Sequence, residues 1–310
     1  MKKLFTTILI SVAVIMVILS LSACDFTLVD KVTPDNVTAG NVTPADVETA
    51  DTTTSSEITF TERVVVDNEE CFIKITDIDP TNIFGYTVSV LLENKSTERN
   101  YMFAVESAAI NGVQCETLFA TEVTAGKKAI SEITFVEDKV LREAGVGEYT
   151  DIELTFRVYD SEDLFAADVA DATVHIYPFG EEAAVTYVRE SQPTDQVLLD
   201  NKFITVTVIG YEEDELLGYT VKLFLVNKTE VDVMFSASTV AVNDFMIDPL
   251  YADMVPAGKC AFSSMIWLDS DFEENGITSV ENIDFVLKAY NVDNFLDEAA
   301  FAKEIITLTP

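Results

Sequence analysis

Apolar and polar side chains alternate through most of the chain from about residue 63 onward. Tyr86, Val88, Val90 and Leu92 fall on one side of an extended segment, with Thr87, Ser89 and Glu93 on the other. Ile152, Leu154, Phe156 and Val158 alternate in the same way with Asp151, Glu153, Thr155 and Arg157. A period of two marks a strand buried on one face, because successive side chains leave a pleated strand on opposite sides. Matching segments follow later, Tyr219, Val221, Leu223 and Leu225, then Ile283, Phe285, Leu287 and Ala289. Further strands are predicted at 63–67, 71–78, 101–110, 117–123, 129–136 and 172–177, and again at 197–200, 203–210, 233–242, 250–255, 260–268 and 303–308. Asn94-Lys95, Asn111-Gly112 and Gly126-Lys127 supply turns, as do Asn227-Lys228, Asn243-Asp244 and Gly258-Lys259. Two segments break the pattern, Asp138 to Ala144 ahead of Gly145 and Asp271 to Asn275 ahead of Gly276. Each predicts one short helical turn closed by a glycine at positive φ.

The two sets of strands are copies of one another. Gly85-Tyr86-Thr87-Val88 with Asn94-Lys95 returns 133 residues later as Gly218-Tyr219-Thr220-Val221 with Asn227-Lys228. Ala125-Gly126-Lys127 returns after 132 residues as Ala257-Gly258-Lys259, and Gly145, Ile152 and Tyr159 after 131 as Gly276, Ile283 and Tyr290. A match that keeps its order over so long a stretch is a duplicated domain, because solenoid repeats have periods of about 20–50 residues. Seven or eight short strands in roughly 115 residues fit a two-sheet sandwich. The expected fold is all-β, with two tandem immunoglobulin-like antiparallel β-sandwich domains at 58–181 and 197–310. Residues 182–196, with Pro193 among them, are expected to link the domains and to allow modest hinge motion.

A different pattern opens the chain. Met1-Lys2-Lys3 precedes an apolar run from Leu4 to Leu21, interrupted only by Thr6, Thr7, Ser11 and Ser20. That is the layout of a signal peptide, expected over 1–23. The run ends in Leu21-Ser22-Ala23-Cys24, which resembles the lipobox of bacterial lipoproteins. The resemblance implies cleavage before Cys24 and a diacylglycerol thioether on its sulfur. Two acyl chains suffice for stable anchoring, at about 0.8 kcal/mol per buried CH₂. The alternative is an uncleaved signal anchor, since about 18 apolar residues can just span a bilayer. Either outcome puts the rest of the chain on the outer face of the bacterial cytoplasmic membrane. Residues 24–57 are rich in Thr, Val, Asp, Ala and Pro and echo themselves, Val32-Thr33-Pro34-Asp35 and then Val42-Thr43-Pro44-Ala45. They read as a disordered tether, at most roughly 110 Å long when fully extended.

Charge narrows the partners. Nineteen Lys and Arg against 54 Asp and Glu leave a net charge of −35, which repels phosphate backbones and excludes nucleic-acid binding by charge neutralisation. Hydrophobic content of 48% is still enough to fill two cores. Cys71, Cys115 and Cys260 match Lys202, Ile247 and Lys128 in the other copy on this alignment, so no disulfide shared by the copies is expected. Export permits a Cys71–Cys115 bridge, but unpaired apolar side chains are the expectation. His175 is the only histidine, so Ser/His/Asp chemistry would have to be built around it, and an ordinary strand residue is expected there. The cysteine spacings fit no zinc pattern.

The segment from Asp269 to Gly276 has the composition of an acidic ion-binding loop. An EF-hand needs glycine at loop position 6 and glutamate at 12, where this segment has Glu274 and Val280. Asp67 to Glu70 and Glu212 to Glu215 read as solvated turns. Asn36, Asn41, Asn94 and Asn227 begin N-x-[ST] triplets, expected here to be turn and linker residues rather than glycan sites. Tyr101, Tyr211 and Tyr251 are candidates for an exposed aromatic face or for core. No catalytic, cofactor-binding or metal-binding residue is expected, and no cofactor.

The series Gly-Tyr-Thr-Val, Asn-Lys-Ser/Thr, Met-Phe (102–103 and 234–235), an Asn-centred turn and Ala-Gly-Lys before an apolar strand resembles immunoglobulin-like domains of Firmicutes surface lipoproteins. These are grouped as domains of unknown function. The resemblance spans about 65–178 and 197–309; it implies the sandwich and brings no catalytic residues. The expected function is non-enzymatic binding or structural support. The membrane would be held through lipid on Cys24, with a surface or cell-wall protein as partner. A calcium- or cation-responsive adhesion module and a cell-wall-associated hydrolase are the alternatives.

Overall fold

The computed structural model describes residues 58–136, 138–214 and 218–310. Cys24, the leader and the tether lie outside the described residues. The first repeat runs β1 (Arg63–Asp67), β2 (Cys71–Asp79), β3 (Thr87–Asn94), β4 (Tyr101–Ile110), β5 (Val113–Cys115), β6 (Thr117–Leu118), β7 (Ala120–Val123), β8 (Lys128–Phe135), α1 (Asp138–Glu143), β9 (Ile152–Asp160) and β10 (Ala170–Ile176). The second runs β11 (Gln196–Asp200), β12 (Ile204–Asp214), β13 (Gly218–Asn227), β14 (Val233–Val242), β15 (Phe245–Met246), β16 (Ala252–Val255), β17 (Cys260–Trp267), α2 (Asp269–Asn275), β18 (Ile283–Asn291) and β19 (Ala302–Leu308). The fold is all-β, each repeat an antiparallel two-layer sandwich.

Strand order is the same in both repeats. β1-β2-β3-β8 form one layer and β4-β9-β10 the other, matched by β11-β12-β13-β17 and β14-β18-β19. The third main strand stays beside the second, and the fourth crosses to the opposite layer. A constant-type immunoglobulin domain does the reverse. The layers enclose separate cores. Ile73, Val88, Val90, Phe103, Ile133, Phe135, Phe156 and Val158 are buried in the first, and Val206, Val221, Leu223, Phe235, Met265, Trp267, Phe285 and Leu287 in the second. These are the period-two positions of the sequence, so register is set by which face must leave water.

The duplication extends to irregularities. The β1–β2 pairing slips between Val64 and Val66, and β11–β12 slips between Val197 and Leu199. The β2–β3 register shifts between Ile75 and Asp77, and β12–β13 shifts between Val208 and Gly210. Pairing also corrects one equivalence. Cys71 lies opposite Asn94 and Ile204 opposite Asn227, so Cys71 corresponds to Ile204 and not to Lys202. A buried apolar position is thus filled by a small thiol in one copy and by isoleucine in the other.

The helical turn expected at Asp271 to Asn275 is helix α2, which starts two residues earlier, at Asp269; Asp269 and Asp271 occupy its first turn, where negative charge suits the helix dipole, and Gly276 closes it at φ 68°. Tyr101 is fully buried core. The linker makes hydrogen bonds to the first repeat. Val185 N–H donates to Thr150 Oγ1, Tyr187 N–H to the Asn111 carbonyl, and Tyr187 O–H to the Ala144 carbonyl at 2.8 Å.

Candidate functional site

The residues that recur in both repeats hold the backbone. Asn94 is buried; its amide donates to the Arg99 and Val123 carbonyls at 2.8 and 2.7 Å and its oxygen accepts from Ser96 N–H. Asn227 repeats this with the Val231, Val255 and Pro256 carbonyls as acceptors and Thr229 as donor. The Asn-Lys-Ser/Thr triplets are therefore brackets between loops. The lysines complete them: Lys95 reaches Asp67 and the Asn68 carbonyl, and Lys228 reaches Asp200 and the Asn201 carbonyl. Asn111 and Asn243 sit at φ 52° and 47° and bind the segments entering β9 and β18 through Thr150 and Glu281 N–H. Gly218 leads β13 past the Trp267 carbonyl, where a Cβ would come within 2.3 Å.

Apart from Lys259, which recurs as Lys127, the side chains that converge where the repeats meet differ between the copies. Cys260 N–H, on the edge of β17, donates to the Gly112 carbonyl at 3.0 Å, and Cys260 pairs in parallel with Val113 of β5. That bridge fuses the β4-β9-β10 layer of the first repeat with the β11-β12-β13-β17 layer of the second into one sheet. Beside it Lys259 Nζ contacts Glu153 Oε2 at 2.6 Å. The same oxygen lies 3.2 Å from His175 Nε2, while His175 Nδ1 lies 2.8 Å from Asp151 Oδ1. Tyr177 stacks on the imidazole at 5.8 Å, and Arg63 donates to the His175 carbonyl. The single histidine is thus held between two carboxylates. Both ring nitrogens face acids, so the geometry shown aligns neither with a hydroxyl or thiol nucleophile.

The linker forms the other wall of this seam. Arg189 and Asp195 make a two-pronged ion pair at 2.7 and 2.9 Å. Hydrogen bonding from Arg189 outweighs burial and holds the Asp195 carboxyl down at about 2. The guanidinium also covers the Phe224 ring at 5.6 Å. Phe262 lies 5.1 Å from Phe224 and 6.1 Å from Tyr187. An open groove of about 560 Å³ runs between Tyr187, Arg189, Gln192, Ile209, Phe262 and the Gly145 turn. The sequence reading missed this assembly. One signal was available, because the register of the β9–β10 hairpin sets His175 directly opposite Glu153.

The thiols are placed for packing. Cys71, Cys115 and Cys260 are buried, and burial pushes both Cys71 and Cys260 up to about 11, far from the thiolate that reactive cysteines present. On the outer surface, hairpin tips repeat an apolar pair. Leu164 and Phe165, between β9 and β10, are 41% and 69% exposed, and Phe295 and Leu296, between β18 and β19, 46% and 85%. The second tip borders a shallow cleft of about 510 Å³ with Asp297, Glu298, Ala299 and Lys303.

Neither the family models nor the curated proteins give a match. Among solved structures, the chain is similar to the SafA pilin in complex with the SafB chaperone of Salmonella enterica, with a TM-score of 0.24 and 9% identity over 79% of this chain and 98% of that one. It is similar to the YadV chaperone at 0.21 and 11%, over 72% and 92%. The CsuC–CsuE chaperone–tip adhesion subunit complex of Acinetobacter baumannii stands at 0.20 and 11%, over 71% and 90%. At scores this low, nothing about the ligand or activity of this chain follows from these likenesses.

Proposed function

We propose that this chain is a bacterial lipoprotein anchored through Cys24 on the outer face of the cytoplasmic membrane. In this reading it acts without catalysis, by binding a surface or cell-wall protein. The observation that carries the binding role is the repeated hairpin tip. Two copies of one domain, whose sequences have otherwise diverged, both expose an apolar pair at the same place, Leu164-Phe165 and Phe295-Leu296. Exposed apolar side chains gathered on loops above a rigid scaffold suit protein contacts. Anchoring is supported by the run Leu21-Ser22-Ala23-Cys24 after an apolar leader.

The test has two arms. Cells fed a labelled fatty acid should transfer label to the wild-type chain and not to Cys24→Ala, which should leave the membrane fraction; equal labelling of both would end the anchoring claim. Crosslinking on intact cells should capture a protein partner, with Phe165→Asp plus Leu296→Asp reducing the yield at least tenfold. An unchanged yield would remove the tips from the binding role.

A further inference from the structure

The seam joins unlike ends. The Lys259–Cys260 end of the second repeat rests on the Asn111-Gly112 turn of the first. Because the repeats share one fold, each also carries the end it does not use there. The first repeat presents the start of β8, and the second presents the Asn243-Asp244 turn with β15. Such a contact is heterologous, and a heterologous contact that does not close on itself can be repeated by another molecule.

The unused ends keep the chemistry of the seam. Lys127 and Lys128 stand where Lys259 and Cys260 stand; Lys128 is 61% exposed and pairs with Glu93 of its own strand neighbour at 2.9 Å. Ile130 takes the place of Phe262 and is 82% exposed, although it lies on a strand edge. Natural proteins usually cover or charge such an edge. Across from them, Asp244 and Phe245 replace Gly112 and Val113. Asn243 and Asp244 have φ 47° and 70°, so the turn repeats the left-handed geometry that presents the Gly112 carbonyl. Phe245 and Met246 are 47% and 66% exposed. Asp284 takes the place of Glu153, the acid that Lys259 reaches. One end thus carries Lys127 with an exposed isoleucine, and the other Asp244 with an exposed phenylalanine and methionine.

We propose that the protein associates with further copies of itself head to tail. The β8 edge of one molecule, at Lys127, Lys128 and Ile130, docks on the β15 turn of the next, at Asp244 and Phe245, with Lys127 placed for Asp284. This does not depend on the lipid anchor or on the hairpin tips, and Phe165→Asp plus Leu296→Asp leaves it intact.

In the seam Cys260 lies opposite Val113, which sets Lys128 opposite Phe245 between molecules. Paired strands lie about 4.8 Å apart, within the reach of a disulfide, whose Cα atoms are usually about 4.4–6.8 Å apart. The full chain carrying both Lys128→Cys and Phe245→Cys, displayed on cells at about 0.15 M salt to screen the acidic surfaces, should give a ladder of dimers, trimers and longer species on mild oxidation. Mixed single variants should stop at the dimer. Ile130→Asp should cut the ladder at least tenfold, and Ile130→Leu should retain it. Absence of a ladder would overturn the proposal, as would dimers formed equally well by either single variant alone, or adducts only with a different protein.

Discussion

A buried asparagine that serves three carbonyls is harder to replace than its solvent-facing counterparts. Asn227→Ala would take the amide donor from the Val231, Val255 and Pro256 carbonyls, the first and last of which keep Thr229 Oγ1 and Lys259 N–H, and would leave Thr229 N–H without an acceptor. At about 1–3 kcal/mol for each polar group left unpaired, urea unfolding should show a loss of about 3 kcal/mol or more. Glycines separate in a similar way. Gly218→Ala would place a methyl 2.3 Å from the Trp267 carbonyl and 2.9 Å from Asp269 N at φ 78°, and should cost on the order of 3 kcal/mol or prevent folding. Gly276→Ala meets nothing within 4 Å at φ 68° and should cost about 1–2 kcal/mol, from the left-handed backbone alone. These positions were visible in the sequence because they repeat. What they do was not visible, since an Asn-Lys-Thr triplet reads identically whether its amide faces water or a buried loop.

Strands were legible wherever one face is buried, because alternation records that burial residue by residue. The crossing of β4 to the far layer was not, since either layer order leaves the same pattern on every strand. The contacts of the linker were not legible for a related reason. Residues 182–196 carry no periodicity, and their order comes from contacts with other segments, above all Arg189 with Asp195. That pair gives a pH test. The Asp195 carboxyl is held at about 2 in the folded chain, below the usual value near 4 of an unfolded aspartate. Its contribution is therefore complete above about pH 4 and is lost as pH falls toward 2, amounting to about 2 kcal/mol. Wild type should be more stable than Asp195→Asn at neutral pH and approach it across that window. A constant gap down to pH 2 would refute the pair's role. The acidic stretch at 269–276 was legible as a helical turn from Asp271 to Gly276, and the structure adds Asp269 and Ser270 to its start.

At the scale of the molecule, two cores share one sheet, and a single hydrogen-bonded bridge with its flanking groups carries the fusion. Lys259 and Glu153 are each 18% exposed, so Lys259→Ala leaves a half-buried acid with His175 and Asp151 as its remaining neighbours. That variant should expose the linker to protease several-fold faster while each repeat keeps its own core; unaltered cleavage would mean that the fusion rests on the aromatic contacts alone. Cys260 belongs to the second repeat in sequence but packs with the first repeat's core, whereas Cys71 and Cys115 lie wholly within the first. A thiol-alkylating reagent applied in the native state therefore keeps two clocks. Modification at Cys260 times the parting of the repeats, and modification at Cys71 times the melting of one of them.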